Sequence, residues 1–206
     1  MRVELPVDIP FDYQLAMDRL AGFGAPRNKI RNLCRSGDLI RVKKGLYVAP
    51  TFPGRTPEVS PLVLAGLVYG PSCVSLESAL AHHGLIPERV DEITSVTTKR
   101  AKRFDTPMGR FTYHPISESA YSYGVALAPA SGGSFFLASP EKALCDRIAR
   151  VRHLTAARDI PELLEEDLRV DVEAVRRFSV SEVREIARRY RRRGVTAFLR
   201  WLEKHA

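Results

Sequence analysis

The chain has 206 residues, 45% of them hydrophobic and 27% charged. That balance excludes a disordered polymer and leaves room for one large or two small cores. A net charge of +8 favours an anionic partner: nucleic acid first, an acidic protein or a membrane surface after it.

Met1 to Pro10 carries acids and two prolines without an apolar core segment, so no leader is expected there. Phe11 to Gly22 reads as a helix, with Leu15, Met17 and Leu20 among its apolar positions. Phe23-Gly24-Ala25 is the turn into Pro26, a residue suited to the first position of a second helix. In that helix Ile30, Leu33 and Cys34 fall at i, i+3, i+4, the buried stripe of an amphipathic helix, and Ser36-Gly37 ends it. Leu39 to Lys43 then alternates, Lys44-Gly45 makes a tight turn, and Leu46-Tyr47-Val48 returns as a second strand.

Ala49 to Pro61 holds prolines at 50, 53, 57 and 61, and reads as a semi-rigid connector. Beyond it, Pro61 to Tyr69 and Ser75 to His83 read as helices. Leu62 to Tyr69, the best apolar run, is far too short to span a bilayer. Glu92 to Thr98, Arg110 to His114 and Ser134 to Ala138 are β-rich, and Tyr121 to Leu127 is a further strand candidate. Ser139-Pro140-Glu141 starts a helix over Lys142 to Val151. From Ile160 the pattern is helical: Pro161 to Leu168, Asp171 to Phe178, Ser181 to Arg192 with Ser181 as cap and Gly194 as stop, and Thr196 to His205. The expected architecture is mixed, α+β. A winged helix-turn-helix occupies residues 1–50, a proline-rich connector 51–60, and a mixed α/β domain with a helical C-terminal tail 61–206. Only ten residues precede Phe11, so the leading helix of a full winged helix is expected to be reduced or replaced by a strand.

Charge is concentrated in three clusters. Between Arg27 and Lys44 there are seven Lys/Arg against Asp38 alone, which suits a surface that meets phosphates. Arg27, Asn28, Lys29, Arg31, Asn32 and Arg35 lie on the helix. There arginine can grip guanine and asparagine adenine. Arg41, Lys43 and Lys44 on the hairpin would lie along phosphate or in the minor groove. The second cluster is Lys99, Arg100, Lys102, Arg103 and Arg110, read as a loop closed by Pro107 and Gly109. Its readings are a solubilising loop, a second nucleic-acid contact or a docking patch for an acidic protein. The third, Arg184, Arg188, Arg189, Arg191, Arg192 and Arg193, reads as the solvated face of a helix whose inner stripe is Val183, Ile186, Ala187 and Tyr190.

Catalytic signals are weak. His82 and His83 are adjacent, so one helix cannot aim both at a single metal. Ser72, Ser75 and Ser78 show no nucleophile elbow. Asp91, Glu92 and Lys99 invite a nuclease reading, but no acid-any-Lys triplet occurs in the chain. Glu141 and Asp146 read as a helix-start acid and a salt-bridge partner. Cys34, Cys73 and Cys145 are odd in number and far apart, as expected for reduced thiols in a cytoplasm. No catalytic residue, cofactor or metal is expected.

With these residues laid out, the chain resembles the AbiEi family of antitoxins of type IV toxin–antitoxin systems over most of its length. The marks are DIPFDY (Asp8 to Tyr13), SGDLIRVKKGLYV (Ser36 to Val48), YGPSCVSLESALAHHGLIPERV (Tyr69 to Val90), EITSVTTKRAKRFDTPMGRFTYH (Glu92 to His114) and SPEKALCDRI (Ser139 to Ile148). The resemblance implies an N-terminal winged helix that represses its own promoter. It also implies a second domain that opposes a nucleotidyltransferase-like toxin encoded beside it, with neither activity catalytic. It places DNA contacts on Arg27 to Arg35 and Arg41 to Lys44. The competing readings are a solitary winged-helix regulator whose second domain senses a ligand or oligomerises, and a nucleic-acid-processing enzyme.

Overall fold

A head of two helices and a small sheet sits on a larger mixed α/β body in the computed structural model, which describes residues 4–88 and 90–206. Residues 1–3, part of the opening segment read as carrying no leader, and Arg89, within the Tyr69–Val90 stretch, lie outside the described residues. Among the described residues there are ten α-helices and two sheets, and no helix is long and apolar enough to cross a membrane.

The head runs β1 (Phe11–Asp12), α1 (Tyr13–Arg19), α2 (Pro26–Ser36), β2 (Ile40–Lys43) and β3 (Leu46–Val48). The helix expected from Phe11 starts two residues later. Asp12 stays extended, and its carboxylate accepts the Leu15 amide at 2.8 Å, satisfying one of the free N–H groups of the first turn. The strand it ends pairs with β3, Phe11 opposite Tyr47, so β3 is central in the order β1-β3-β2. No helix precedes it among residues 4–10; Val7 instead bridges Ala49. α2 starts at Pro26 without a side-chain cap and stops at Gly37, whose φ of 81° is left-handed. Phe11, Ala16, Leu20, Ile30, Leu33, Leu39, Tyr47 and Ala49 close the head's core.

The body follows the connector: α3 (Pro61–Val68), β4 (Ser72–Val74), α4 (Leu76–His82), β5 (Glu92–Thr97), β6 (Lys102–Thr106) and β7 (Gly109–Pro115). Then come α5 (Glu118–Tyr121), β8 (Val125–Ala130), β9 (Gly133–Ala138) and α6 (Pro140–Ile148). The six strands form one sheet in the order β6-β7-β5-β4-β9-β8. β5 and β7 pair in parallel, as do β4 and β9; the other neighbours are antiparallel. The tail continues with a 3-10 turn at Ala157–Asp159, α7 (Ile160–Glu162), a π turn at Leu163–Asp167, α8 (Val172–Arg176), α9 (Val180–Tyr190) and α10 (Arg193–His205).

Four expectations are corrected here. The supposed loop of the second basic cluster contains an edge strand, β6, paired with β7 through Phe104 opposite Phe111. The strand sought at Tyr121 to Leu127 lies at Val125–Ala130, because Glu118–Tyr121 is a helical turn. Ser179, not Ser181, caps α9 by accepting the Glu182 amide. Gly194 is not a stop; α9 ends on left-handed Arg191, and Gly194 lies in the first turn of α10. There a Cβ would stand 3.3 Å from a Leu154 methyl, so glycine permits the helix to approach that closely.

The connector is irregular, as expected, but it is tied down. The Ser60 amide donates to the Ser131 carbonyl at 2.9 Å, and Ser131 donates to the Glu58 carbonyl. At Gly132, with φ +86°, a side chain would meet Val59 at 2.9 Å. The two cores also meet across it. Along β3 successive side chains point to opposite faces. Tyr47 enters the head core, while Leu46 and Val48, with Val42 of β2, belong to the buried cluster of the body that holds Val63, Leu64 and Phe111. The hairpin is therefore a shared wall, not a free arm.

Candidate nucleic-acid interface

α2 is set by its apolar stripe. Ile30 and Leu33 are buried in the head, and half-buried Cys34 packs beside them. That rotation leaves Arg27, Asn28, Arg31, Asn32 and Arg35 exposed. Lys29 behaves differently: it is half-buried, with its ammonium 5.3 Å from the centre of the Phe23 ring, and is partly spent on that contact. Among the described residues no carboxylate pairs with Arg27, Arg31 or Arg35; the ion pairs lie elsewhere.

On the hairpin, Arg41 and Lys44 are exposed, Lys44 beside Gly45, whose φ of 87° makes the tight turn. Arg41 lies near enough to Cys34 and Tyr47 to lower both their pKa values, although burial outweighs it and both end up raised. Lys43, expected along phosphate, is half-buried and donates to the Val68 carbonyl at 2.6 Å. Burial, then Lys102 and Lys99, depress its pKa. It belongs to the junction of head and body.

The second cluster divides in two. Arg110 donates to Asp105 at 2.8 Å and Arg103 stands 3.9 Å from the same carboxylate. The Arg110 hydrogen bond holds Asp105 below the usual carboxylate range. Lys99, Arg100 and Lys102 have no carboxylate partner among the described residues. Lys99 donates to the Gly70 carbonyl, and the ammoniums of Lys99 and Lys102 stand 5.4 and 5.7 Å from the centre of the Tyr69 ring. Tyr69, with Phe104 and Tyr113 around it, organises this patch. The sequence offered no local signal for that role, because the contact depends on pairing between β6 and β7. In the third cluster, Arg184 pairs with Glu203 at 2.7 Å, Arg188 and Arg189 with Glu185, and Arg189 covers Tyr123 at 4.3 Å. Those three are engaged within the tail.

The residues considered for catalysis do not converge. His83 contacts the Ala138 carbonyl at 2.8 Å while His82 packs edge-on to Phe135. Glu92 accepts from Thr112 at 3.0 Å, and Glu141 accepts the Ser179 amide. Asp146 is sealed in the core, ion-paired to Lys142 and accepting from Tyr190 and from Ser75 at 2.6 Å. The i, i+4 spacing of Lys142 and Asp146 was the available clue to that pair. Burial pushes the Cys73 thiol up to about 12 and that of Cys145 well above its ordinary value, which suppresses the reactive thiolate. Among the described residues no three His, Cys, Asp or Glu side chains are placed to hold a metal ion.

Fold and surface together define a mixed α/β protein with two sheets, whose uncompensated arginines lie on the outer face of one head helix. No family model matches the chain, and no curated protein matches it. Among solved structures it is similar to the Rv2827c protein of Mycobacterium tuberculosis, with a TM-score of 0.50 and 21% identity, over 96% of this chain and 77% of that one. At that identity the likeness concerns the fold.

Proposed function

We propose that the protein is a cytoplasmic DNA-binding transcription regulator that represses its own promoter, with α2 and the β2–β3 hairpin acting as a winged helix-turn-helix. The observation that carries this reading is the outer face of α2. Arg27, Asn28, Arg31, Asn32 and Arg35 are exposed together, opposite the Ile30/Leu33 stripe, without an acid partner among the described residues. Arginine and asparagine are the residues that read purine edges in the major groove. Arg41 and Lys44 extend the charge along the hairpin, where phosphate contacts would fix register.

The resemblance to AbiEi antitoxins supports a second role for the body, opposing a nucleotidyltransferase-like toxin. Neither role needs catalysis, in keeping with candidate acids that are engaged in structural hydrogen bonds.

Gel-shift titrations of a duplex carrying the promoter, at two salt concentrations, test the DNA role. Affinity should fall with a log–log slope of about −0.9 for each phosphate neutralised. Binding indifferent to salt, or none, sinks the reading. Growth rescue from a co-expressed toxin of that class tests the second role separately.

A further inference from the structure

We propose that the body itself contacts the nucleic acid, through a basic strip around Tyr69 that carries the phosphate-binding face from the hairpin onto the edge of the six-stranded sheet. Three consecutive residues at the end of α3 gather three lysines from distant parts of the chain. The Val68 carbonyl accepts from Lys43 at 2.6 Å, the Gly70 carbonyl accepts from Lys99, and the Tyr69 ring lies under both Lys99 and Lys102. Lys102 also stands 5.2 Å from the Phe104 ring. Lys43 is the last residue of β2 and Lys102 the first of β6, so the strip joins the two sheets.

Two ordinary explanations account for part of it. The C-terminus of a helix carries about half a negative charge, enough to favour one nearby cation. Charges on an edge strand also discourage pairing with other chains, which explains Lys102 and Arg103. Neither explains why Lys43, Lys99 and Lys102 are close enough that the latter two lower the pKa of the first. Arg100 is exposed beside them, and no carboxylate pairs with any of the four among the described residues. Lys43 and Lys99 are held on carbonyls and supply potential, while exposed Arg100 and Lys102 remain able to meet phosphates. A polyanion relieves that repulsion, and continuity with the hairpin makes it the same duplex that α2 meets, not an acidic protein.

The inference rests on the DNA reading, and the test separates the two. The full-length protein, wild type and the Arg100→Ala/Lys102→Ala variant, is titrated onto labelled promoter and scrambled duplexes at three salt concentrations. Both residues are exposed, so an unchanged melting temperature serves as the folding control. Loss of two phosphate contacts should make the log–log salt slope shallower by about 1.8 and weaken both duplexes alike. A wild type that binds with a steep slope and a variant that keeps that slope overturn the strip while the DNA reading stands. A wild type that does not bind overturns both. If the variant keeps its DNA slope but loses binding to polyglutamate, the strip serves an acidic protein and the proposal is wrong.

Discussion

Replacing Asp146 with alanine should destabilise the protein by about 3–5 kcal/mol, the cost of leaving one member of a buried ion pair alone. The Lys142 and Asp146 side chains are both 0% exposed. Asp146 also accepts the Tyr190 hydroxyl from α9 and the Ser75 hydroxyl that opens α4, so one carboxylate ties three helices together. Burial and the adjacent Asp146 both raise the Tyr190 pKa, which keeps that phenol a donor. Alanine removes the charge that balances the Lys142 ammonium and strands two hydroxyls. Each unsatisfied buried group costs about 1–3 kcal/mol more. Lys142→Met combined with Asp146→Leu should recover part of the loss, since both charges leave, but not all of it, because Tyr190 and Ser75 still lack an acceptor. Urea melts of the three variants read this directly. A cost below about 1 kcal/mol for Asp146→Ala would show that the pair is not sealed from water.

The second large effect concerns the junction. A fragment beginning at Arg55 loses Val42, Leu46 and Val48, which are buried with the body's core, together with the Lys43 hydrogen bond to Val68. It should melt well below the full chain and expose apolar surface, despite the proline-rich connector that suggests two independent units. In the full chain, Leu46→Ala should cost about 2–5 kcal/mol. Head and body should still unfold in one transition, since they share that wall. A fragment that melts cooperatively at the temperature of the full chain would contradict this.

What could be read from the sequence follows the range of the signals. α2 and the hairpin are legible almost to the residue, because their limits are local: proline at the first turn, Gly37 at φ 81°, Gly45 at φ 87°. The same holds for Ser139, which caps α6 by accepting the Lys142 amide. β6 was opaque because Lys-Arg-Phe-Asp-Thr has one apolar residue; only its pairing with β7 makes it a strand. Gly194 misled for the opposite reason. Its missing side chain serves close packing against Leu154 and Ile148, which sequence alone does not distinguish from a helix stop. For the site, the exposed arginines of α2 followed from helical period. The inward turn of Lys43 and the gathering of Lys99 and Lys102 on Tyr69 are tertiary, and nothing in the local pattern announces them.

Whether α2 reads DNA is decided most directly by Arg31→Ala, measured by anisotropy on the promoter duplex and on a scrambled duplex of equal length. Arg31 is exposed and outside the Ile30/Leu33 stripe, so the fold should be unaffected. The variant should bind the promoter more weakly by about 1–3 kcal/mol, with a smaller loss on the scrambled duplex, so that the preference between them narrows. Equal affinity of variant and wild type for both duplexes would contradict α2 as the reading element.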